Sequence, residues 1–311
     1  MDFSRGGVKL KLGFIGLGRM GHNVVLNLID KKHKVVVFNR HPDKVKKIAK
    51  QGAIGAYSLE ELVQKLPKPR VVVLMITAGK PVDAVMKGLL PLLDKGDTIV
   101  EGGNSWYEDD LRRSKLCKKK GINFVDMGTS GGLMGARYGA SLMIGGDKKI
   151  FKRYEKMFKD IATKSGYGYM GPTGSGHFVK MVHNGIEYAI EEAYGEGYEL
   201  LDKSRYKYDY KKVSTVWNNG SIIRSFLVEK ALDAFKKDPK LRKFKGVIGG
   251  GETGQWTLNQ AKKEKVEMET LKHAVKKRKQ SYKKQSFATK VISAMRWEFG
   301  GHLEGHKESK K

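Results

Sequence analysis

Five polar and ionisable side chains recur at helical spacing in the middle of the chain. In Gly176-His177-Phe178-Val179-Lys180-Met181-Val182-His183-Asn184-Gly185-Ile186-Glu187-Tyr188, the residues Lys180, His183, Asn184, Glu187 and Tyr188 stand at i, i+3, i+4, i+7 and i+8. At about 3.6 residues per turn they share one face of a helix. An amine, an imidazole, a carboxamide, a carboxyl and a phenol form a set of acid, base and positioning groups. Phe178, Val179, Val182, Ile186 and Ile190 supply apolar flanks. The alternative is a solvated face with a Lys–Glu pair. The flanks weigh against it: a helix wrapped this way is expected to be buried, and buried Lys and Glu need partners or a task.

The elements before this helix read as a nucleotide-binding scaffold. A β run at 9–15 leads into Gly16-Leu17-Gly18-Arg19-Met20-Gly21 and then a helical pattern of Val24, Val25, Leu28 and Ile29. In G-x-G-x-x-G between strand and helix, the first glycine allows a tight turn. The second lets a pyrophosphate approach, and the third packs helix on strand. A second strand, 34–38, ends in Asn39-Arg40-His41. An acid there would bond the ribose hydroxyls of NAD. An arginine can hold a 2′-phosphate bidentately, so NADP is favoured over NAD. Ser58-Leu59-Glu60-Glu61 reads as a capping box opening a helix. Further strands are expected at 70–77, which is apolar throughout as in a sheet buried on both faces, and at 98–101, 123–127 and 140–144. Two of these end in Gly102-Gly103-Asn104-Ser105 and Gly128-Thr129-Ser130-Gly131-Gly132. Ligands of mostly parallel sheets bind beyond the carboxyl ends of the strands, where both turns fall.

The breaker cluster Gly171-Pro172-Thr173-Gly174-Ser175-Gly176 marks the expected domain junction. Residues 1–172 are read as an α/β Rossmann-like NAD(P)-binding domain, and 173–311 as an all-α substrate and dimerisation domain. Helices are expected from 176 toward 202, at 209–217, at 222–236, at 256–284 and at 285–299. A glycine-rich loop covers 246–254, and a polar tail from 303 to 311 is expected to fray.

Composition bounds the function. The 311 residues carry 61 Lys+Arg against 33 Asp+Glu, a formal charge of +28. Nucleic acid or an anionic substrate would suit that balance. The lysines are scattered rather than set in one stripe, and no base-stacking aromatics interleave them, so no specific nucleic-acid role is expected. The densest run, 272–284, would bind polyanions only weakly in low salt. The single cysteine, Cys117, precludes an internal disulfide or a multi-cysteine metal cage and fits a reducing compartment. No apolar run approaches the roughly 18–20 residues that span a bilayer. Residues 1–11 lack the apolar core of a leader. A cytoplasmic protein with no membrane partner and no metal is expected.

Gly16-Leu17-Gly18-Arg19-Met20-Gly21, Gly102-Gly103-Asn104-Ser105, Thr129-Ser130-Gly131-Gly132, the Lys180–Tyr188 stretch and Phe299-Gly300-Gly301-His302 occur in one order. That order resembles the decarboxylating 6-phosphogluconate dehydrogenases of the β-hydroxyacid dehydrogenase superfamily, in their short form. The resemblance covers nearly the whole chain. It implies oxidative decarboxylation of 6-phospho-D-gluconate to D-ribulose 5-phosphate and CO2, with reduction of NAD(P)+, in the pentose phosphate pathway. Lys180 would be the general base on the C3 hydroxyl. His183 and Asn184 would stabilise the enediol, and Glu187 would protonate its C1. The β-keto group is the electron sink, so no metal is needed. Asn104, Ser130, Gly131, Gly132 and Tyr188 would contact the substrate. Arg278, and Arg296 with His302 reaching over from a second subunit, would hold its phosphate and neighbouring hydroxyls. Gly16, Leu17, Gly18, Arg19, Met20, Gly21, Asn39, Arg40, Thr77, Ala78 and Asn104 would hold the cofactor. Shared sites imply a homodimer or homotetramer. The chain departs from the long form by placing Gly250-Gly251-Glu252 where a phosphate-binding lysine stands. A 3-hydroxyisobutyrate-type relative would keep Lys180 and Asn184 but would not need Glu187. A polyanion-binding protein on an inactive scaffold would have lost such groups.

Overall fold

The computed structural model describes residues 9–306. Residues 1–8 and 307–311, with most of the segment read for a leader and most of the tail, lie outside the described residues. The chain forms two compact units, one ending at Lys180 and one beginning at Met181.

The first unit is a sheet with helices on both faces. Its strands are β1 (Lys11–Ile15), β2 (Lys34–Phe38), β3 (Ile54–Gly55), β4 (Val71–Leu74), β5 (Thr98–Glu101), β6 (Asn123–Ser130), β7 (Ala140–Gly146) and β8 (Ala162–Gly171). Their order is β3-β2-β1-β4-β5-β6-β7-β8. All neighbours pair parallel except β6 with β7. Between them run α1 (Arg19–Asp30), α2 (Pro42–Ala49), α3 (Leu59–Gln64), α4 (Lys80–Leu89), α5 (Tyr107–Lys119), α6 (Gly132–Tyr138) and α7 (Lys148–Ile161). Side chains alternate across a strand. Val35, Val37, Val71, Val73 and Val125 therefore join a core with α1, α2 and α7. Val36, Val72, Leu74, Ile99 and Phe124 join another with α3, α4 and Cys117 of α5. Each such fully buried side chain contributes about 1.5–3 kcal/mol, which makes the central strands the rigid part of the scaffold. Burial pushes the Cys117 thiol up to about 12, leaving it unreactive at neutral pH.

Three local readings change. The strand expected at 70–77 stops at Leu74, so Thr77 and Ala78 lie in the loop before α4. At α3 only half of the expected capping box forms. Ser58 accepts from the Glu61 amide, but the Glu61 carboxylate reaches past Ser58 to the Tyr57 N–H. Strand β8 had no forecast, because its sequence is glycine-interleaved and largely half-exposed.

The breaker cluster is the turn between β8 and the long helix α8 (Ser175–Lys203). The first turns of α8 pack on the sheet, which is why the compact division falls at Lys180 rather than at 172. The second unit contains the rest of α8, then α9 (Tyr210–Asn218), α10 (Phe226–Lys237), α11 (Glu252–Lys263), α12 (Glu269–Gln280) and α13 (Phe287–Gly300). Tyr198 of α8, Phe235 of α10 and Met295 of α13 centre one core, and Tyr188, Leu271 and Val275 another. The helix expected from 222 begins at Phe226. Ser225 caps it by accepting from the Val228 N–H, and Ile222 is fully exposed. The helix expected at 256–284 is two helices, broken where Lys265 adopts φ +58. The tail is packed as far as it is described: Lys245 N–H donates to the Gly305 carbonyl, and His306 stacks on Trp297 at 4.3 Å. Among the described residues no helix is long and apolar enough to cross a membrane.

Candidate active site

The nucleotide end of the first unit is built by three glycines with different tasks. Gly16 has φ +108, and a Cβ there would lie 2.3 Å from the Met75 carbonyl oxygen. A Cβ on Gly21 would lie 2.1 Å from the Gly16 oxygen, whereas one on Gly18 would meet nothing within 4 Å. The first and third glycines are thus required by packing, and the second leaves open space above the loop. Gly18 also precedes α1, whose start has no side-chain cap and no acid in its first turn. Uncapped helix N–H groups facing open space are suited to a pyrophosphate, so these residues fit a dinucleotide.

Asn39 is tied to the glycine loop. Its Oδ1 accepts from the Leu17 N–H at 3.0 Å, bracing the glycine loop from the end of β2, and its Nδ2 donates to the His41 carbonyl. Arg40 beside it is exposed. Thr77 and Ala78 follow β4, the neighbour of β1 in the sheet.

The second set of loops follows β5 and β6, adjacent parallel strands whose carboxyl ends lie together. Asn104 is exposed in the first loop, and Ser130, Gly131 and Gly132 form the second. Gly131 at φ +114 and Gly132 at φ +62 make the turn into α6.

Lys180 is buried, with 7% of its surface exposed. Its stem lies across β6: a Cβ on Gly128 would sit 2.4 Å from Lys180 Cβ and 3.0 Å from its Cγ. The same strand holds the start of α8. Asp126 Oδ1 accepts from the Gly174 N–H at 2.7 Å, and its Oδ2 from the His177 N–H at 3.0 Å. A carboxylate borrowed from a neighbouring strand thus caps the helix that carries Lys180. Asp126, Gly128 and Ser130 lie on one face of β6, since side chains repeat every second residue.

In the second unit the following turns of α8 carry His183, Asn184 and Glu187. His183 Nδ1 lies 3.1 Å from Asn184 Oδ1 and 3.7 Å from Glu187 Oε2. Tyr188 is buried with its hydroxyl 2.9 Å from Thr253 Oγ1, and Arg278 stacks over its ring at 3.7 Å. Arg278 also donates to Glu191 Oε2 at 2.6 Å and to the Gly249 carbonyl at 3.0 Å. Burial pushes the Glu191 carboxyl up, against the pull of the Arg278 and Arg296 guanidiniums. Arg296, expected to reach over to another subunit, is instead buried within its own unit and donates to the Gly249 carbonyl at 3.1 Å. His302 packs edge-on to Phe299. A cavity of about 390 Å³ lies beside this group, lined by Gly250, Gly251, Trp256, Arg278, Lys279 and Tyr282 among others. Gly250 at φ +70 and Gly251 at φ +128 adopt backbone that a lysine would strain.

The polar side of α8 is buried, as expected for Lys180, with Asn184, Tyr188 and Glu191 beside it. The apolar flanks, expected to be buried with it, are not: Val179, Ile186, Ile190 and Leu200 are exposed, Leu200 at 73%. Among the described residues two groups bring three metal-type ligand atoms within 4.8 Å, Glu101/Asp110/His177 and Glu192/Glu196/His273. In the first, Arg113 already supplies a cation at 3.9 Å and 4.0 Å from the two carboxylates. In the second, His273 pairs with Glu196 at 3.3 Å, and Glu192, pushed up to about 7 by burial and Glu196, is opposed by Lys277 and His273.

Sequence reading missed Glu101, Asp110, Asp126, His177 and Glu191. One signal was available: the strands Thr98–Glu101 and 123–126 each end an apolar run with a carboxylate, where a strand buried on both faces should continue apolar.

Comparison with known proteins bears on the whole chain. Residues 11–171 match the NAD binding domain of 6-phosphogluconate dehydrogenase, and 176–300 match the 6-phosphogluconate dehydrogenase C-terminal domain. A putative 6-phosphogluconate dehydrogenase of Bacillus subtilis is 43% identical over 96% of this chain and 100% of its own length. The NAD(+)-dependent, decarboxylating 6-phosphogluconate dehydrogenase of Haloferax volcanii is 40% identical over 96% of this chain and 100% of its own. The Plasmodium falciparum 6-phosphogluconate dehydrogenase, solved with its cofactor NADP+ and its substrate 6-phosphogluconate, superposes with a TM-score of 0.79 at 36% identity. That match covers 87% of this chain, which spans only 62% of the Plasmodium chain.

Proposed function

The chain belongs to the 6-phosphogluconate dehydrogenase family, and from that premise we propose that it oxidises 6-phospho-D-gluconate at C3 and releases C1 as CO2. The product is D-ribulose 5-phosphate. The observation that carries this reading is a buried Lys180 seated on Gly128, with Asn184 and Glu187 on the next two turns of the same helix. Bound NAD(P)+ would supply the hydride acceptor, held by Gly16–Gly21, Thr77, Ala78 and Asn104. Neutral Lys180 takes the C3 hydroxyl proton. After decarboxylation the protonated amine, with His183 and Asn184, donates hydrogen bonds to the oxygens of the enediol. Glu187 then delivers a proton to C1. A 3-hydroxyisobutyrate-type reaction has no such step, so the acid one turn beyond Asn184 favours the decarboxylating reaction. The substrate test follows: 6-phosphogluconate is oxidised rapidly, and unphosphorylated 3-hydroxyisobutyrate is not. The reverse preference would overturn the reading.

Glu187→Gln keeps the shape of the side chain and removes its proton. Turnover is expected to fall about 100- to 1,000-fold, the scale of general acid catalysis, with KM for the substrate little changed. Unaltered steady-state turnover would remove Glu187 from the acid role.

We assign the substrate phosphate to the cavity beside Arg278 and Lys279, because Gly250 and Gly251 leave no unstrained place for the long-form lysine. His302 is the candidate for reaching a neighbour's substrate. The cofactor preference is assigned to Arg40. Its replacement by alanine is expected to lower the NADP-to-NAD ratio of kcat/KM by about tenfold, the worth of one exposed charge-assisted phosphate contact. A ratio that does not move would transfer the choice elsewhere.

A homodimer is part of this proposal, resting on the exposed apolar line of Val179, Ile186, Ile190 and Leu200 along α8. Apolar stripes of this kind mark association surfaces. Sedimentation should give twice the chain mass for the wild type and a single-chain mass for Ile186→Glu. A fully active wild-type monomer would contradict it. A cytoplasmic location completes the reading, on the ground of the single, buried Cys117.

A further inference from the structure

The reaction outlined above gives no task to a deeply buried charged cluster of the first unit, Glu101, Asp110, Arg113, Asp126 and His177. His177, one turn before Lys180, is buried in the first unit with an acceptor at each ring nitrogen. Its Nδ1 lies 2.6 Å from Asp110 Oδ2 on α5, and its Nε2 3.2 Å from the Gly103 carbonyl oxygen. Its own backbone N–H is held by Asp126 of β6. One residue therefore joins four elements: the start of α8, α5, β6 and the turn after β5 that presents Asn104.

We propose that His177 is a positioning residue for the reaction, clamping the Gly103–Asn104 turn to the first turn of α8 so that Asn104 and Lys180 are presented at a fixed separation. This rests on the reading of Lys180 as the base.

A neutral imidazole has one N–H and cannot donate to two acceptors. A carbonyl cannot donate back, so a doubly protonated ring satisfies both contacts. The charged surroundings support that form. Glu101 Oε2 lies 3.7 Å from Nδ1, and Asp126 lies behind the backbone. On α5, Arg113 faces Glu101 and Asp110 at 3.9 Å and 4.0 Å, and bonds Asp83 of α4 at 2.9 Å, with Asp109 at 3.6 Å. Burial lowers the His177 pKa, but Asp110, with Glu101 and Asp126, more than offsets this and raises it to about 10. Burial raises the Asp110 carboxyl to about 7, against the pull of His177.

The geometry leaves α8 little freedom apart from this clamp. Gly176 is so close to β7 that a Cβ there would lie 2.4 Å from the Met143 carbonyl oxygen. The Gly103 turn is held from the sheet side, with the Gly102 N–H donating to the Leu74 carbonyl at 2.7 Å and the Gly103 N–H donating to Glu101 Oε1 at 2.9 Å, and His177 links it to α8. Loss of His177 is expected to free the turn from α8 while leaving the helix in place.

The test is His177→Gln, which can donate to Gly103 or Asp110 but not to both. The glycine loop and the Thr77–Ala78 loop lie on other strands, and Asn104 is the one cofactor contact on the loosened turn. NADPH affinity and KM for 6-phosphogluconate should therefore each weaken less than about fivefold, while kcat falls roughly 50-fold, on the scale that a misplacement of about 1 Å costs. A kcat within about threefold of wild type in the folded variant, or equal losses of cofactor affinity and kcat, would overturn the inference. Should the variant fail to fold, the wild-type ring is read directly by NMR at pH 8. Two ring N–H protons are expected, and one would overturn it. Wild-type turnover of 6-phosphogluconate is measured alongside. Its absence would count against the proposed reaction, whereas an active wild type with an unaffected His177→Gln counts against the clamp alone.

Discussion

Replacement of Lys180 by methionine will leave a folded protein that binds the nucleotide and does not turn over. Methionine keeps an unbranched stem, so the contact with Gly128 survives and the start of α8 stays on the sheet. What disappears is the amine proposed to accept the C3 proton. General base catalysis contributes about 100- to 10,000-fold, and the proposed reaction also has Lys180 donate to the developing enediol, so the upper end of that range is expected for kcat. Lys180→Arg sharpens the result. An arginine retains charge and length but is protonated at every accessible pH and cannot act as a base. It should be nearly as inactive as methionine. Substantial activity in Lys180→Arg, measured as NAD(P)H formation, would show that position 180 supplies charge rather than a proton acceptor.

Gly128→Ala adds one methyl group and is expected to cost nearly as much. The new Cβ would lie 2.4 Å from Lys180 Cβ and 3.1 Å from the Gly176 carbonyl oxygen, so one side must move by about 1 Å to restore ordinary contact near 3.5 Å. Strand β6 cannot yield easily. It pairs with β5 up to Asp126 and with β7 through Gly128 to Ser130. Lys180 moves instead. Overpacking of this kind costs about 1–3 kcal/mol of stability, and a 1 Å displacement of a reacting group costs about 100-fold in rate. The checks are a thermal melt together with kcat. A variant with wild-type turnover would mean that Lys180 acts from a position the strand does not set.

Glycine at position 128 illustrates what the chain disclosed before its structure was known. Gly128 sat in view as the first residue of a Gly-Thr-Ser-Gly-Gly turn, yet it belongs to a strand that runs to Ser130. Its importance depends on Lys180, which lies 52 residues later in the numbering. Strands β2 and β5 were legible to the residue, because apolar runs buried on both faces admit few other readings. Helix α8 and the burial of Lys180 were legible from the 3.6-residue spacing, but the exposure of Val179, Ile186 and Ile190 was not, because periodicity does not report which apolar side chains meet the rest of the chain. The break between α11 and α12 was hidden because Lys265, neither glycine nor proline, takes the left-handed conformation. The clamp of Glu101, Asp110, Asp126 and His177 was hidden for a different reason. Its members come from four elements, and each taken alone is an ordinary charged residue.

Arg278 shows the same limit on the substrate side. In the sequence it lies in a lysine-rich run with many equivalents. In the fold it is the buried member, stacked on Tyr188 and paired with Glu191. Its neighbours Lys276, Lys277 and Lys279 have no such environment. Spacing along an exposed helix cannot single out which cation turns inward; only the packing of α12 against α8 does.

The central claim is that this chain couples hydride removal at C3 to loss of C1. It is tested most directly by incubating the purified protein with 6-phosphogluconate labelled with 13C at C1 and either NADP+ or NAD+. The labelled CO2 released is then compared with the NAD(P)H formed. One labelled CO2 for each NAD(P)H is the predicted result. Reduction of the cofactor without labelled CO2 would identify a simple hydroxyacid dehydrogenase and remove Glu187 from the chemistry. Absence of reduction with both cofactors would contradict the account altogether.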